Sequence, residues 1–213
     1  MPDAQAIISR EGVSAYIRTM VVEAPRKALQ WTFEQFMGIA EAGLFDSSPH
    51  LELIDGLIYE KMPQKHPHFF TVSMLLDALK EIFGRGSAVS SQSTVRLGPF
   101  DGPEPDLAVF RGKMADYRHG FPKAEDVVLF VEVGDSTFDE DLRDKAPLYA
   151  RFGIPEFWLV DVKGRRILVH RSPDPDSSTW GEVFEVGEGD SICPLHQEPA
   201  VIVSDILPAR GTE

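Results

Sequence analysis

The stretch at residues 126–152, DVVLFVEVGDSTFDEDLRDKAPLYARF, joins an unbroken apolar run to a segment with helical spacing. Residues 127–131 are all apolar, which predicts a strand buried on both faces of a sheet. Glu132 stands at the end of that run, where a buried carboxylate is costly unless it has a partner. Because strands often carry chemistry at this end, Glu132 is the first candidate functional residue. The simpler alternative is a glutamate that reaches water.

The composition is that of an ordinary globular protein with an excess of acid. A chain of 213 residues, 43% hydrophobic, can form one sizeable core. We predict a single domain at 25–207, an N-terminal arm at 1–24 and a C-terminal tail at 208–213. The single cysteine, Cys193, excludes an internal disulfide framework and a multi-cysteine zinc site, which fits a cytoplasmic location.

Two further features of the composition bear on partners. No apolar run approaches about 18 residues and the N-terminus carries no secretory pattern, so we expect neither a membrane span nor export. The net charge of -13 argues against nucleic acid as a partner. A nucleic-acid substrate therefore requires a local basic patch, or bound metal ions, that outweighs the acidic field.

The rest of the chain predicts helices and strands around the opening stretch. We expect a helix at 32–40 capped by Thr32 and stopped by Gly43, a hairpin at 51–62 turning at Asp55-Gly56, a helix at 66–83, strands at 88–97 and 106–110, a surface loop at 111–126, a strand at 127–133, a helix at 139–152, strands at 156–161 and 166–171, and a last pair of strands at 180–186 and 200–203. This order predicts an α/β (α+β) fold with a mixed central sheet flanked by helices, plus an added N-terminal helix and β-hairpin.

Four residues on these elements could converge to form a phosphodiesterase site. Glu52 lies on the hairpin, Asp106 starts a short strand, Glu132 ends the long strand, and Lys145 lies on the following helix. Hard divalent cations bind one or two carboxylates together with phosphate and water. Such an ion lowers the pKa of a bound water and stabilises an in-line displacement, while a lysine stabilises the developing charge.

Each of these residues also has a simpler interpretation. Asp106 follows a proline and suits a turn or cap, and Glu52 could pair with Lys61 across the hairpin. Lys145 could be a solvated helix residue paired with Asp141 at i,i+4. Taken singly, these interpretations are favoured; the order and context of the four residues together favour a site.

Several short motifs follow one another along the chain. They are Glu52-Leu53-Ile54-Asp55-Gly56, a helix opening near His66 and His68, Pro105-Asp106-Leu107, Val131-Glu132-Val133 with Ser136-Thr137, Lys145 with Leu148-Tyr149-Ala150, and GIPEFWLVD at 153–161. In this order they resemble the Uma-type restriction endonuclease family of the PD-(D/E)XK nuclease superfamily. The resemblance covers about residues 30–172.

The resemblance implies a role for each matching residue. Asp106 and Glu132 match the family's metal ligands for Mg²⁺ or Mn²⁺, and the Val133 carbonyl would complete the metal shell. Glu52 matches a further metal or water ligand. Lys145 matches a lysine moved onto the following helix.

The sequence also departs from the family pattern. Gly134 stands where the superfamily lysine is expected, and Gly134-Asp135 replaces the more usual Ser-Pro pair. His66-Pro67-His68 replaces the commoner His-Gly start of the helix. Gln92, on the strand before Asp106, is a candidate supporting polar residue. These departures concern loop geometry and substrate contacts.

The remaining candidate residues have simple interpretations as well. His66 and His68 could contact substrate phosphate, but their place near a helix start favours capping or surface roles. We assign the acidic run 135–141 to a solvated helix start. Four basic residues of the 111–126 loop could form a patch for nucleic acid: Arg111, Lys113, Arg118 and Lys123.

The leading hypothesis is a magnesium-dependent endonuclease that hydrolyses DNA. The alternative is a non-catalytic nucleic-acid-binding or assembly module that retains the nuclease fold. A third interpretation is hydrolysis of a non-nucleic phosphoester at the same site. We expect a homodimer, with its interface on strand 157–160 or on the C-terminal strands.

Overall fold

The computed structural model describes residues 29–44 and 50–211. Within these residues the elements are α1 (Phe33–Glu41), β1 (Leu51–Ile54), β2 (Leu57–Glu60), α2 (His66–Phe83), β3 (Ser87–Ser91), β4 (Leu107–Arg111), β5 (Val127–Gly134), α3 (Phe138–Arg151), β6 (Glu156–Asp161), β7 (Arg166–Asp174), β8 (Thr179–Gly187), β9 (Ser191–Ile192), β10 (Val201–Ile202) and α4 (Val203–Ile206). Short 3₁₀ turns lie at Gly84–Gly86, Met114–Tyr117 and Ala124–Asp126. The predicted arm at 1–24 and the start of the predicted domain lie outside the described residues.

A six-stranded mixed sheet in the order β3-β4-β5-β6-β7-β8 forms the centre of the fold. The β5–β6 pair is parallel, whereas the other neighbouring pairs are antiparallel. A parallel pair needs a crossover connection, and α3 supplies it between β5 and β6. The predicted fold class is therefore confirmed.

The central strands divide their side chains between two helical layers. Leu129 and Val131 of β5 pack with α2, in a core that includes Leu75 and Trp158. Phe130, between them in sequence, packs on the opposite face with Tyr149, Phe157 and others. Both faces are buried, which explains why this strand is apolar at consecutive positions.

The added N-terminal elements form as predicted. Thr32 caps α1 through a capping box, since its side chain accepts from the Gln35 N–H and the Gln35 side chain accepts from the Thr32 N–H. Asp55 and Gly56 adopt positive φ of 50° and 76°, as a tight hairpin turn requires. The hairpin packs on α1 through a small cluster that includes Phe33, Phe36 and Leu53.

Three details of the prediction are wrong. The strand predicted at 88–97 ends at Ser91, because Gln92 has a φ of 47° that no extended strand contains. Strand β8 pairs with β7 and not with β10, the strand at 201–202. Strand β10 pairs with β9. Strand 157–160 cannot form an interface surface, since it lies inside the sheet and is fully buried.

Candidate active site

Glu132 faces α3 because of its place in the alternation of β5. It shares its side of the strand with Phe130, whose ring lies 4.7 Å from that of Tyr149. The Tyr149 hydroxyl donates to Oε1 of Glu132 at 2.6 Å, and Nζ of Lys145 lies 3.4 Å from the same oxygen. Lys145 and Tyr149 are four residues apart, so they share one face of α3.

Lys145 is a buried lysine that bridges two strands. Its Nζ contacts Oε2 of Glu52 on β1 as well as Glu132 on β5. Only 4% of its side chain is exposed, so the interpretation of Lys145 as a solvated helix residue is wrong. Glu52 is buried too, and its Oε2 accepts a hydrogen bond from the Glu104 N–H at 3.4 Å.

Asp106 lies just before β4, on the same side of the sheet as Glu132. Its Oδ2 accepts hydrogen bonds from the Val133 N–H at 2.9 Å and from Nε2 of His68 at 3.0 Å. Its Oδ1 lies 3.0 Å from Nζ of Lys61. The Asp106 N–H donates to Oε2 of Glu132 at 3.3 Å, so the backbone of one carboxylate residue fixes the side chain of the other.

The four predicted side chains therefore come together, along with three residues whose role was missed. Lys61 contacts Asp106 and Glu132, and Glu52 is buried against Lys145, so the alternative of an exposed Glu52–Lys61 pair across the hairpin is wrong. His68 contacts Asp106, so a purely capping or surface role is wrong for it. Tyr149 was quoted only as part of a motif. Its i,i+4 spacing from Lys145 is the one signal that could have placed it at the site.

Burial and charge act in opposite directions on the ionisable groups here. Burial raises the pKa of Asp106, but Lys61 and the hydrogen bonds from His68 and Val133 prevail and hold that pKa below its ordinary range. Burial lowers the pKa of Lys145, but Glu132 and Glu52 raise it above its ordinary value. Burial raises the pKa of Glu132, and Lys145 and Lys61 offset this shift only in part. A buried cluster of this kind gains stability from added positive charge.

The donor atoms in the cluster suit a hard divalent cation. Asp106 and Glu132 supply carboxylate oxygens, and the Gly134 carbonyl accepts from the Val162 N–H on the β6 side. The backbone groups of Val133, one residue earlier, point to the other side of β5, towards β4. Its N–H donates there to Oδ2 of Asp106. Among the described residues, no three His, Cys, Asp or Glu side chains could enclose a metal ion by themselves. A metal here would need backbone, water or phosphate ligands, as Mg²⁺ commonly has.

The cluster opens into a cleft of about 740 Å³. Its charged lining is mostly acidic: Glu52, Asp55, Glu60, Asp106, Glu132, Asp135, Glu140, Asp141 and Asp144 stand against Lys61, Lys65, Arg143, Lys145 and Arg151. Burial, with the nearby Glu132 charge, raises the pKa of Asp141 to about 7, so this residue is not simply part of a solvated run.

Two predicted contributors do not line this cleft. Gln92 lies beyond the end of β3, and its backbone N–H donates to the Asp106 carbonyl at 3.1 Å. The basic residues of the 111–126 loop are also outside the cleft lining. Arg111 donates to the carbonyls of Glu125 and Val127 at 2.6 and 2.9 Å, so its guanidinium holds the loop together.

The fold resembles that of a known structure. A crystal structure described as a "putative nuclease belonging to DUF820", from Anabaena variabilis ATCC 29413, superposes with a TM-score of 0.60 at 18% identity. The match covers 82% of this chain and 96% of the other. At this level of identity the likeness concerns the fold alone.

Sequence comparison gives the family. Among curated proteins, none matches this chain. Within the described residues, no helix is long and apolar enough to cross a membrane. The profile of the Uma2 family, described as "Putative restriction endonuclease", matches residues 33–201. Because this match spans more than half of the sequence, the chain belongs to the Uma2 family.

Proposed function

We propose that this protein is a metal-dependent endonuclease that hydrolyses phosphodiester bonds in DNA. The observation that carries the proposal is the convergence of Glu52, Asp106, Glu132 and Lys145 in one buried cluster at the base of the cleft. These side chains come from three strand regions and one helix. Membership of a nuclease family supports hydrolysis of nucleic acid as the reaction class.

Asp106, Glu132 and the Val133 carbonyl are the residues that would hold Mg²⁺ or Mn²⁺, with Glu52 as a further metal or water ligand. When bound, the ion supplies a water of lowered pKa and stabilises charge on the phosphate. Their burial keeps the surroundings of the carboxylates low in dielectric, which strengthens their attraction for a cation.

Lys145 places a fixed positive charge beside these carboxylates. Glu52 and Glu132 raise the pKa of Lys145, so its ammonium group stays protonated at neutral pH. We assign it the role of stabilising negative charge on the scissile phosphate. Tyr149 acts as a positioning residue, since its hydroxyl donates to Glu132 at 2.6 Å and fixes that carboxylate.

The acidic lining of the cleft favours one further candidate function. A net charge of -13 and a mostly acidic cleft repel a polyanion, which suits a module that binds a partner without turnover. Bound divalent cations would reverse this repulsion near the site. The two functions therefore differ in whether metal restores both binding and cleavage of DNA.

The test is a cleavage assay on plasmid and oligonucleotide DNA, with RNA in parallel, at several Mg²⁺ and Mn²⁺ concentrations. We expect metal-dependent cleavage of DNA by the parent chain and none by Asp106→Asn. Calorimetry on the same two proteins should show metal binding that is lost in the variant. Equal metal binding in both would contradict the assignment of Asp106. Metal binding without cleavage of either nucleic acid would favour the non-catalytic module.

The proposed assembly remains a homodimer. Among the C-terminal strands, β8 forms an edge of the sheet and exposes Val183 and Phe184. A two-fold dimer would present two clefts to the two strands of a duplex. Sedimentation of the intact chain measures this directly, and a single monomeric species would contradict it.

A further inference from the structure

Lys61 is a second lysine in the carboxylate cluster, and the proposed reaction leaves it without a role. Its Nζ lies 3.0 Å from Oδ1 of Asp106 and 3.9 Å from Oε2 of Glu132. It also donates to the Glu104 carbonyl at 2.7 Å. Lys61 therefore contacts both carboxylates that would hold the metal.

A metal ion on Asp106 would have to share that carboxylate with Lys61. Mg²⁺ lies about 2.1 Å from its oxygen ligands, so an ion on Oδ1 would sit within about 5 Å of Nζ. Both groups are cations, and the surroundings are buried, so they repel each other strongly. The same oxygens cannot serve the ammonium group and the metal equally well.

The charges of the cluster lead to the same conclusion. Glu52, Asp106 and Glu132 are three carboxylates, and Lys61 and Lys145 already supply two positive charges. The ammonium groups thus neutralise most of the charge that would attract a divalent ion. Lys145 is enclosed, with 4% of its side chain exposed, whereas Lys61 is 19% exposed. Lys61 is therefore the cation whose side chain can move away from the carboxylates.

The backbone around Lys61 would allow that movement. Its N–H is fixed to the His50 carbonyl at 2.9 Å, at the end of the hairpin. The following residues, Met62 to Lys65, are exposed and lead into α2. The side chain lines the cleft, so Nζ can turn towards solvent or a phosphate while the main chain stays in place.

We propose that Lys61 is an internal counter-ion that competes with the divalent metal for Asp106 and Glu132, and so sets the metal affinity of the site. This inference rests on the proposed function, because it takes these two carboxylates as the metal ligands. It assigns a weak metal affinity to the free protein, which rises when Lys61 turns away.

The test measures Mn²⁺ affinity by calorimetry on the full chain, without substrate. Lys61→Met removes the ammonium group and keeps a stem of similar length, and Lys61→Arg keeps the charge. Lys65→Met is the matched control, because it removes one positive charge from an exposed residue of the same cleft. Circular dichroism confirms that each variant is folded.

We expect Lys61→Met to tighten Mn²⁺ binding by at least tenfold, and Lys65→Met by less than about twofold, since solvent screens an exposed charge. Lys61→Arg should bind Mn²⁺ as the parent does, and it is the remaining test if Lys61→Met fails to fold. Tighter binding by Lys61→Arg would overturn the inference. Equal affinities for parent, Lys61→Met and Lys65→Met would also overturn it.

A further variant separates failure of this inference from failure of the proposed function. Asp106→Asn in the Lys61→Met background should abolish the tightened binding. If Asp106→Asn abolishes binding in the parent while Lys61→Met changes nothing, the metal site stands and the competition is refuted. If no variant binds Mn²⁺, including Lys61→Met, both ideas fail.

Discussion

Two buried glutamates on neighbouring parallel strands, Glu156 and Glu132, have different surroundings. Glu132 of β5 lies level with Leu159 of β6, three residues beyond Glu156, and the two side chains point to opposite faces of the sheet. Their exposures are 0% and 2%, so burial does not distinguish them. What differs is the set of groups that each carboxylate meets.

Glu156 is held entirely by fixed donors. Its Oε1 accepts from Nε1 of Trp158 at 2.9 Å and from Nε and Nη2 of Arg171 at 2.8 and 2.7 Å. Its Oε2 accepts from the Leu195 N–H at 2.7 Å, which ties the C-terminal segment to the sheet. A carboxylate satisfied in this way stabilises the fold and offers no site for a ligand.

Glu132 is held more loosely and opens onto the cleft. Among residues 29–44 and 50–211, the polar contacts of its Oε2 are the Asp106 N–H at 3.3 Å and Nζ of Lys61 at 3.9 Å. Its neighbours include two other carboxylates, so the cluster attracts further positive charge. The comparison teaches that burial and ion pairing are common to both carboxylates, and that the one we propose as functional differs in being incompletely hydrogen-bonded beside a cleft.

Replacing each glutamate by glutamine tests this distinction most directly. We expect Glu132→Gln to reduce cleavage by at least about 10³-fold, because a catalytic metal contributes several kcal/mol to the transition state. Glu156→Gln should keep the activity of the parent per folded molecule. Single-turnover cleavage with a folded-fraction measurement compares the two, and similar losses of activity would remove the distinction.

When stability is measured in place of activity, replacement by alanine should have the larger effect at Glu156 and the smaller effect at Glu132. Glu156→Ala leaves the partly buried Arg171 without its ion-pair partner, so we expect a loss of about 3 kcal/mol in the free energy of unfolding. Glu132→Ala should cost less, since Lys61 and Lys145 keep Asp106 and Glu52 as partners. Urea denaturation of both variants measures this, and a larger loss for Glu132→Ala would refute the assignment of Glu156 as the structural carboxylate.

Lys145 allows a smaller test within the cleft. We expect Lys145→Met to retain metal binding and to lose about 10²-fold in turnover, because a positioned charge at the phosphate is removed. Calorimetry and single-turnover kinetics on the same preparation separate the two effects. Arg143→Met is a suitable control, since Arg143 lines the cleft but is ion-paired with Asp144. An equal loss in both variants would mean that general charge, rather than the position of Lys145, matters.

Asp141 should give the smallest effect, seen as a dependence of stability on pH. Its folded pKa of about 7 lies above its unfolded value of 3.8, so the folded state holds the proton more tightly. The resulting stability is fully present below pH 3.8 and is lost as the pH rises through 7. Because the carboxyl is partly open to solvent, we expect only about 1–2 kcal/mol.

The measurement is the difference in unfolding free energy between Asp141→Asn and the parent at several pH values. Asn cannot ionise, so the unfolding free energy of the variant should increase relative to that of the parent as the pH rises from 4 towards 8. At higher pH this difference should stay constant. A difference that does not change with pH would show that Asp141 keeps an ordinary pKa in the folded protein.

The local elements were predictable because their signals lie within a few residues. The consecutive apolar residues of β5, the helical spacing of α2 and the Asp55-Gly56 turn each fix a structure from nearby sequence alone. The strand at 88–97 failed for a local reason as well, since the alternation gave no warning of the positive φ at Gln92.

The partners of the site residues were decided by tertiary structure. Lys145 and Glu52 are 93 residues apart, and Lys61 and Asp106 are 45 apart. No periodicity connects such pairs, because each contact depends on how the strands stack beneath the helices. The sequence by itself determined most of the strands, the helices and the carboxylates at the strand ends. Only the packing of α3 on β5 and the place of the hairpin decided which cations those carboxylates would meet.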